Sequence, residues 1–586
     1  MSYIGAFATN GVKEVAPITE PETGEAYFDV DYPQVGKKMT VFIKDKETQE
    51  FNYRWYINNK NINNSSSSYT PVTSDLEKTI TVKILDKNLK QIASKNIFVS
   101  NLPVVYIETE NRENITSKEK ELNAKIDIQG NAKYNSEDIL YHGETKIKGR
   151  GNTTWNDAKK PYKLKLDSKA DLFGMGKNKH WVLISNPFDE SKIKNTVAYN
   201  LSGELGMTYM QSVPVELILN GRCVGTYTLC EHIRIGETRV DITDWDDIAE
   251  DAAKAIYKSN TDKITKTQRD ELIDIMTDNL SWTTSGTITY NGVTYKVSDY
   301  YAVPSINGGY LLSIDRESDY TSKKGLLLDI SKPEGYSKDM YNNITGYFQA
   351  FEDALFSDDF CTEYNGKKVR YTDFIDVESF AKAFLVNEFF KNTDFGFRST
   401  YMYKDIDGKL IAGPVWDFDL SSTYKTTRDY NSWKAVMKNI NARMCLDPYF
   451  IKEVYKVYWD YRYNSLLNIA SEGGMIDTLS DEIRESAYND EALWDYDTDF
   501  DSSVAEFKQW VKYRLSWLDD RFANVNELYS SLNKAASNYF KFKNTTTSLS
   551  VSADISGNVT VDFGDTIPKK AQIFVNGILK NTVDVS

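Results

Sequence analysis

The segment 392–420, NTDFGFRSTYMYKDIDGKLIAGPVWDFDL, concentrates carboxylates among aromatic residues. A helical pattern ends near Lys391, and Asp394 follows in a loop beside Gly396. Residues 399–403 and 409–412 read as strands turned by Asp407-Gly408, the second running on into Trp416-Asp417-Phe418-Asp419. In an extended segment alternate residues share a face, so Asp417 and Asp419 are expected to point together with Phe418 opposite. Two close carboxylates repel, and each has a raised pKa unless a cation lies between them. Mg²⁺ or Mn²⁺ removes that conflict and takes carboxylate oxygens readily. Asp417 and Asp419 are therefore candidate metal ligands. Asp405 and Asp407 read as solvated turn acids.

A basic counterpart lies upstream in 145–166, TKIKGRGNTTWNDAKKPYKLKL. As a strand, this stretch turns Tyr162, Leu164 and Leu166 toward a core and puts Lys163 and Lys165 together on the other face. Arg150 sits between two glycines, which allow a backbone to approach a ligand closely. Gly149-Arg150-Gly151 followed by lysines suits phosphates, although it is neither a full GxGxxG nor a Walker A motif. Asn152 is a polar neighbour able to assist phosphate or metal, as is Asn392; both also suit turns. Glu231, at the end of a strand, is a candidate to order the phosphate lysine. A loop aspartate, a hairpin and then a metal-binding aspartate is the order found in protein kinases. On that pattern Asp394 accepts the proton of an acceptor hydroxyl.

These residues need elements to hold them. Residues 1–100 read as short strands with turn signals, a sandwich whose core Trp55 fills. From about 101 to 335 the chain is strand-rich, with hairpins at Asn220-Gly221 and Asn291-Gly292 and a helical insertion at 241–300. From about 336 to 535 it is helical. Val377, Phe380, Ala381, Phe384 and Leu385 mark one apolar face, and Val504, Phe507, Val511, Leu515, Leu518 and Phe522 another. Residues 536–586 return to strand around Asn576-Gly577. The fold class expected is a multidomain α+β chain with small β-sandwich-like domains at both ends.

With 586 residues, several cores are required. A net charge of −15 argues against broad nucleic-acid binding and leaves metal ions and basic proteins as partners. Cys223, Cys230, Cys361 and Cys445 form no CxxC and read as small buried hydrophobes, and His142, His180 and His232 share no motif. No apolar run is long enough to span a bilayer. The start, MSYIGAFATNG, lacks the regions of a signal peptide.

Several ordered motifs resemble the CotH kinase family, the spore coat protein H group of atypical kinases. They are IKGRGNTTW…KKPYKLKL, KHWVLISNPFDESKIKNTVAYNL, VELILNGRCVGTYTLCE, GGYLLSID and NEFFKNTDFGFRSTYMYKDIDGKLIAGPVWDFDL. The weaker DPYFIKEVYKVYWDYR and YRLSWLDDRF follow, so the resemblance covers roughly residues 103–530. Separately, WYINNKNI…TITVKI resembles bacterial immunoglobulin-like repeats. The CotH resemblance implies a kinase-like two-lobed core, a β-rich N-lobe and a helical C-lobe. It also implies ATP and a divalent metal as cofactors, and Ser or Thr of a protein as acceptor. By motif, the family's essential acids fall on Asp394 and the Asp417/Asp419 pair. The setting implied is bacterial: a spore coat, a cell surface or a secreted, polysaccharide-associated location.

The chain departs from the pattern in two places. The stretch after Glu231 is thinner in basic residues than the family pattern, and the helical insertion at 241–300 bears on the shape of the substrate groove. Separately, the metal-binding Asn that ordinary kinases carry five residues past the catalytic Asp is Ser399 here. Two alternatives stay open: a non-catalytic surface or carbohydrate-binding protein on a kinase-like domain, and another nucleotide-dependent transferase.

Overall fold

The computed structural model describes residues 26–29, 33, 36, 38–43, 50–75, 78–134, 139–316, 318–494 and 498–545, and the strand residues 550–553, 559–562, 570–575 and 578–584. The opening residues 1–11 and the Asn576-Gly577 turn lie outside them. The chain forms two compact units, Met1–Val104 and Val105–Ser586.

In the first unit, strands Ala26–Phe28, Met39–Ile43 and Ser68–Tyr69 make one sheet. Lys60–Asn61, Asn52–Ile57, Lys78–Leu85 and Gln91–Val99 make a second, in that order. Alternating apolar residues of both, including Phe28, Val41, Ile80 and Val82, meet around the fully buried Trp55 in one core. The Trp55 indole N–H is satisfied by Ser66 O at 2.8 Å, as a buried ring of this kind requires.

The second unit is built on a closed seven-stranded barrel. Its order is Ile139–Gly149, Tyr162–Asp171, Lys177–Ile184, Arg222–Glu231, Ser212–Leu219, Val104–Thr109 and Leu122–Gln129. Period-two alternation sends Leu164, Leu166, Trp181, Leu183, Val215 and Leu229 into its interior. It leaves Lys163 and Lys165 outside, paired in register with Lys148 and Lys146. Asn220 and Gly221 turn their hairpin with φ of 51° and 77°, the left-handed pair such a tight turn needs.

A separate five-stranded sheet runs Tyr320–Thr321, Leu327–Lys332, Tyr310–Ile314, Thr400–Lys404 and Leu410–Ala412. The hairpin of the acidic segment is thus completed by strands from residues 310–332. The 241–300 segment, helices Trp245–Ser259 and Lys266–Asp278 with a hairpin, is anchored to this sheet. Trp245 is fully buried, its N–H bonded to Gly308 O at 2.9 Å, in space that a side chain on Gly309 would fill. The helices Lys338–Phe356, Val377–Phe389, Pro448–Tyr461, Met475–Trp494, Phe500–Arg521 and Val525–Thr545 follow. Among the described residues no helix is long and apolar enough to cross a membrane. Among the described residues the four cysteines form no disulfide. Cys230 and Cys445 are buried, whereas Cys223 and Cys361 are only half-buried.

Candidate functional site

Helix Val377–Phe389 starts on an Asp376 cap and is buried along most of its length. Its end is pinned by Glu388, which accepts from Lys434 N (2.8 Å) and Ala435 N (2.7 Å) and pairs with Arg514 at 2.7 Å. Beyond it the buried Asn392 works as a strut. Its Oδ1 accepts from Asp394 N at 3.0 Å, while its Nδ2 donates to Asn387 Oδ1 (3.0 Å) and to Trp416 O (3.3 Å). One amide side chain therefore ties the Asp394 loop to the segment carrying Asp417. Asp394 O then accepts from Phe397 N and Arg398 N, closing the turn.

The second strand of the hairpin ends at Ala412, earlier than the sequence pattern indicates, and 413–418 is irregular. Asp417 is in the left-handed region, φ 69°, a conformation that costs a non-glycine residue about 1–3 kcal/mol. Its surroundings hold it there. Phe418 is fully buried, edge-on to Tyr199 and Phe390, and its N–H bonds Asn195 Oδ1 at 2.8 Å. Trp416 stacks on Tyr199 at 5.3 Å. Asp417 and Asp419 still meet, their carboxyl groups within hydrogen-bonding reach of each other. Burial, reinforced by the Asp417 charge, pushes the Asp419 carboxyl well above the usual range. Burial and the Asp394 charge also raise Asp417, against the pull of Arg150. Ser399 Oγ, also at positive φ, donates to Asp417 Oδ2 at 3.2 Å.

Arg150 reaches the same place from the barrel, its guanidinium 5.6 Å from the Trp416 ring centroid. The glycines flanking it have separate tasks. A side chain on Gly149 would meet the Trp155 ring at 2.2 Å, so the chain itself fills that space. Gly151 has φ 82° and turns the loop that carries Asn152. A third arm escaped the sequence reading. Asn186 Oδ1 accepts from Asn195 Nδ2 at 3.1 Å, and Asp189 Oδ2 accepts from Lys194 N at 2.8 Å at the start of helix Lys194–Glu204. The Lys194 charge acts directly on Asp419. Asn186, Asp189, Lys194 and Asn195 are all buried, which their polar types do not announce. Arg150, Asn152, Asn195, Asp394, Asp417 and Asp419 thus line one cleft of about 140 Å³.

Lys163 and Lys165 line another cleft, on the outer face of the barrel. Glu231 does not reach them. Register pairs Leu164 with Trp181 and Trp181 with Glu231, while Lys163 aligns with Val182 and Cys230. Neighbours in register share a face, so Glu231 and Lys163 lie on opposite faces. The charge partner of Glu231 is Arg239, at 3.4 Å, whose guanidinium stacks over Trp181. Burial pushes Glu231 up to about 7.

Among the described residues no group of three or more His, Cys, Asp or Glu side chains is preassembled for a metal. The Asp417/Asp419 pair is nonetheless a fitting donor set for a hard divalent cation: two oxygen ligands, desolvated, mutually repelling and facing a cleft.

Searched against curated proteins, the chain has no match. The model of the CotH kinase protein family matches residues 147–518. That interval begins beside Arg150, takes in all three arms of the cleft and ends just past Arg514, so on more than half of its length this chain belongs to the CotH kinase protein family.

Proposed function

We propose that this CotH-family protein is an ATP-dependent protein kinase that moves the γ-phosphoryl group to a Ser or Thr hydroxyl, with the barrel acting as the N-lobe and the helices as the C-lobe. One observation carries the reading: Arg150 and the Asp394, Asp417, Asp419 triplet, far apart in sequence, face one cleft. In phosphoryl transfer the bond between Pγ and the bridging oxygen breaks as the acceptor oxygen bonds Pγ, and the acceptor proton needs a base. Asp394 orients that hydroxyl and takes the proton. Its loop is fixed to the Trp416 carbonyl through Asn392, so the base and the Asp417/Asp419 pair keep their spacing. Arg150 neutralises phosphate charge, and Asn152 hydrogen-bonds the phosphates. Asp417 and Asp419 would hold Mg²⁺ or Mn²⁺, which when bound neutralises the phosphate oxygens as charge develops. Positioning and electrostatics supply most of the rate.

The test is incubation of the purified protein with γ-labelled ATP, Mg²⁺ or Mn²⁺ and a Ser-rich protein. Label transferred by the wild type, and reduced by at least ~10²-fold, about 2.7 kcal/mol, in Asp394→Asn, is the expected result. Equal labelling by both proteins would refute it. A thermal shift with ATP and Mg²⁺ separates a binding-only protein from an enzyme lacking the right acceptor.

A further inference from the structure

The outer face of the barrel carries a second charged cleft that the kinase reading leaves unused. It has a volume of about 310 Å³ and shares no lining residue with the acidic cleft. Five cationic side chains, Lys146, Lys163, Lys165, Arg234 and Lys332, line it from four separate segments of the chain. Three carboxylates, Glu121, Asp246 and Glu334, face them, leaving a surplus of two positive charges. The acids are also already engaged. Lys332 holds Asp246 at 3.0 Å and Glu334 at 2.9 Å, and Glu121 lies 4.0 Å from Lys146 and 3.6 Å from Lys148. Lys163, Lys165 and Arg234 have no carboxylate within 4.0 Å among the described residues.

Such an arrangement is unfavourable while empty. Lys163 is desolvated, and its pKa is lowered by burial first and then by Arg234 and Lys148, with Glu334 acting the other way. His180, on the same wall, is pushed down to about 3 by burial and by Arg234, Lys163 and Lys165, so it stays neutral. Its buried Nδ1 has no hydrogen-bond partner, which is uncommon for a buried polar atom. A carboxylate brings one negative charge and two oxygens. A phosphate monoester brings roughly −1.5 to −2 and three acceptor oxygens. That matches the surplus of charge and the three cationic side chains without a carboxylate partner.

We propose that this cleft binds a phosphate-monoester dianion carried on a protein side chain, which makes it a reader of segments that are already phosphorylated. The cleft itself stands without the kinase reading, and only the idea that its ligand arrives on the protein substrate rests on that reading. A phosphate of ATP has the same chemistry, so the test separates the two sources. It uses the full chain and a fluorescein-labelled, glycine-flanked peptide carrying one phosphoserine, with its unphosphorylated twin as control. Fluorescence anisotropy should show the phosphopeptide binding at least tenfold more tightly. Inorganic phosphate should displace it, whereas ATP with Mg²⁺ should not do so at concentrations that saturate its own thermal shift. Arg234→Met should weaken the phosphopeptide at least tenfold, Arg234→Lys less so, with both variants melting near the wild type. Asp394→Asn should bind it unchanged, so loss of turnover cannot pass for loss of this site. Equal affinity for the two peptides would overturn the proposal. So would displacement by ATP in step with its occupancy of the protein, which would give the cleft to the nucleotide, or an Arg234→Met protein that folds and binds as the wild type does.

Discussion

Asp419 is only 5% exposed and sits against a second acid, so in the absence of a cation the fold pays for keeping it. Asp419→Asn removes that repulsion and keeps the shape. Its melting temperature in metal-free buffer should be equal to or higher than that of the wild type, while phosphoryl transfer falls by at least ~10²-fold. Differential scanning fluorimetry beside the labelling assay checks both halves, and a clear drop in melting temperature would contradict the account of the pair. Glu231 offers a pH readout away from the cleft. Its folded pKa of about 7 lies above its usual 4.5, so the native state holds the extra proton between those values. Its contribution to stability is fully present below about 4.5 and declines as pH rises to about 7, a change on the order of 3 kcal/mol. Glu231→Gln should flatten the melting profile between pH 5 and 7, and an unchanged slope would show that burial does not act on this carboxyl. The residue types were legible at both places. The conformation of Asp417 was not, because side-chain contacts to Tyr199, Phe390 and Asn195 from distant segments impose its left-handed φ.

Helices Val377–Phe389 and Phe500–Arg521 are joined by the buried Glu388–Arg514 pair. Arg514 also donates to Tyr430 O (2.7 Å) and Ser432 O (2.8 Å), so it holds the loop beyond the cleft as well. Arg514→Met leaves Glu388 buried without its partner and should destabilise the second unit by about 3–5 kcal/mol. A urea titration followed by tryptophan fluorescence would read that loss, and a midpoint equal to that of the wild type would rule it out. In the Arg150 loop, Gly149→Ala drives a methyl into the Trp155 ring and should cost about 1–3 kcal/mol. The cost should shrink when Trp155→Ala is made in the same chain, so a double-mutant cycle must show coupling rather than additive losses. Element by element, periodicity located helices Val377–Phe389 and Phe500–Arg521 and the alternation of Tyr162, Leu164 and Leu166 on their strand. It placed strand 409–412 correctly but carried it too far, since Trp416 and Phe418 continue an apolar alternation although the backbone has left the sheet.

At the scale of the whole molecule, what the sequence concealed is long-range pairing. Closure of the barrel joins Val104–Thr109 to Ser212–Leu219, and the five-stranded sheet joins 310–332 to 400–412. Neither pairing leaves a local signal, because each side alone reads as an ordinary strand. The ordered CotH motifs identified the family, yet the Asn186–Asn195 arm inside one of them went unassigned, since asparagines in a polar run look like turn formers until their burial is known. Membership of the family therefore says more about which residues recur than about which surfaces they meet. The anchoring of the Asp394 helix by Arg514 also has a consequence in time. At about 5–20 residues per second, a ribosome delivers Arg150, Asp394 and Asp419 well before the residue that locks their supporting helix. A nascent chain, or one cut short before helix Phe500–Arg521, carries every chemical group of the cleft and still lacks the clamp that sets their spacing. On the kinase reading proposed above, competence to transfer phosphate waits for helix Phe500–Arg521 to be made and packed, however early the reactive groups themselves appear.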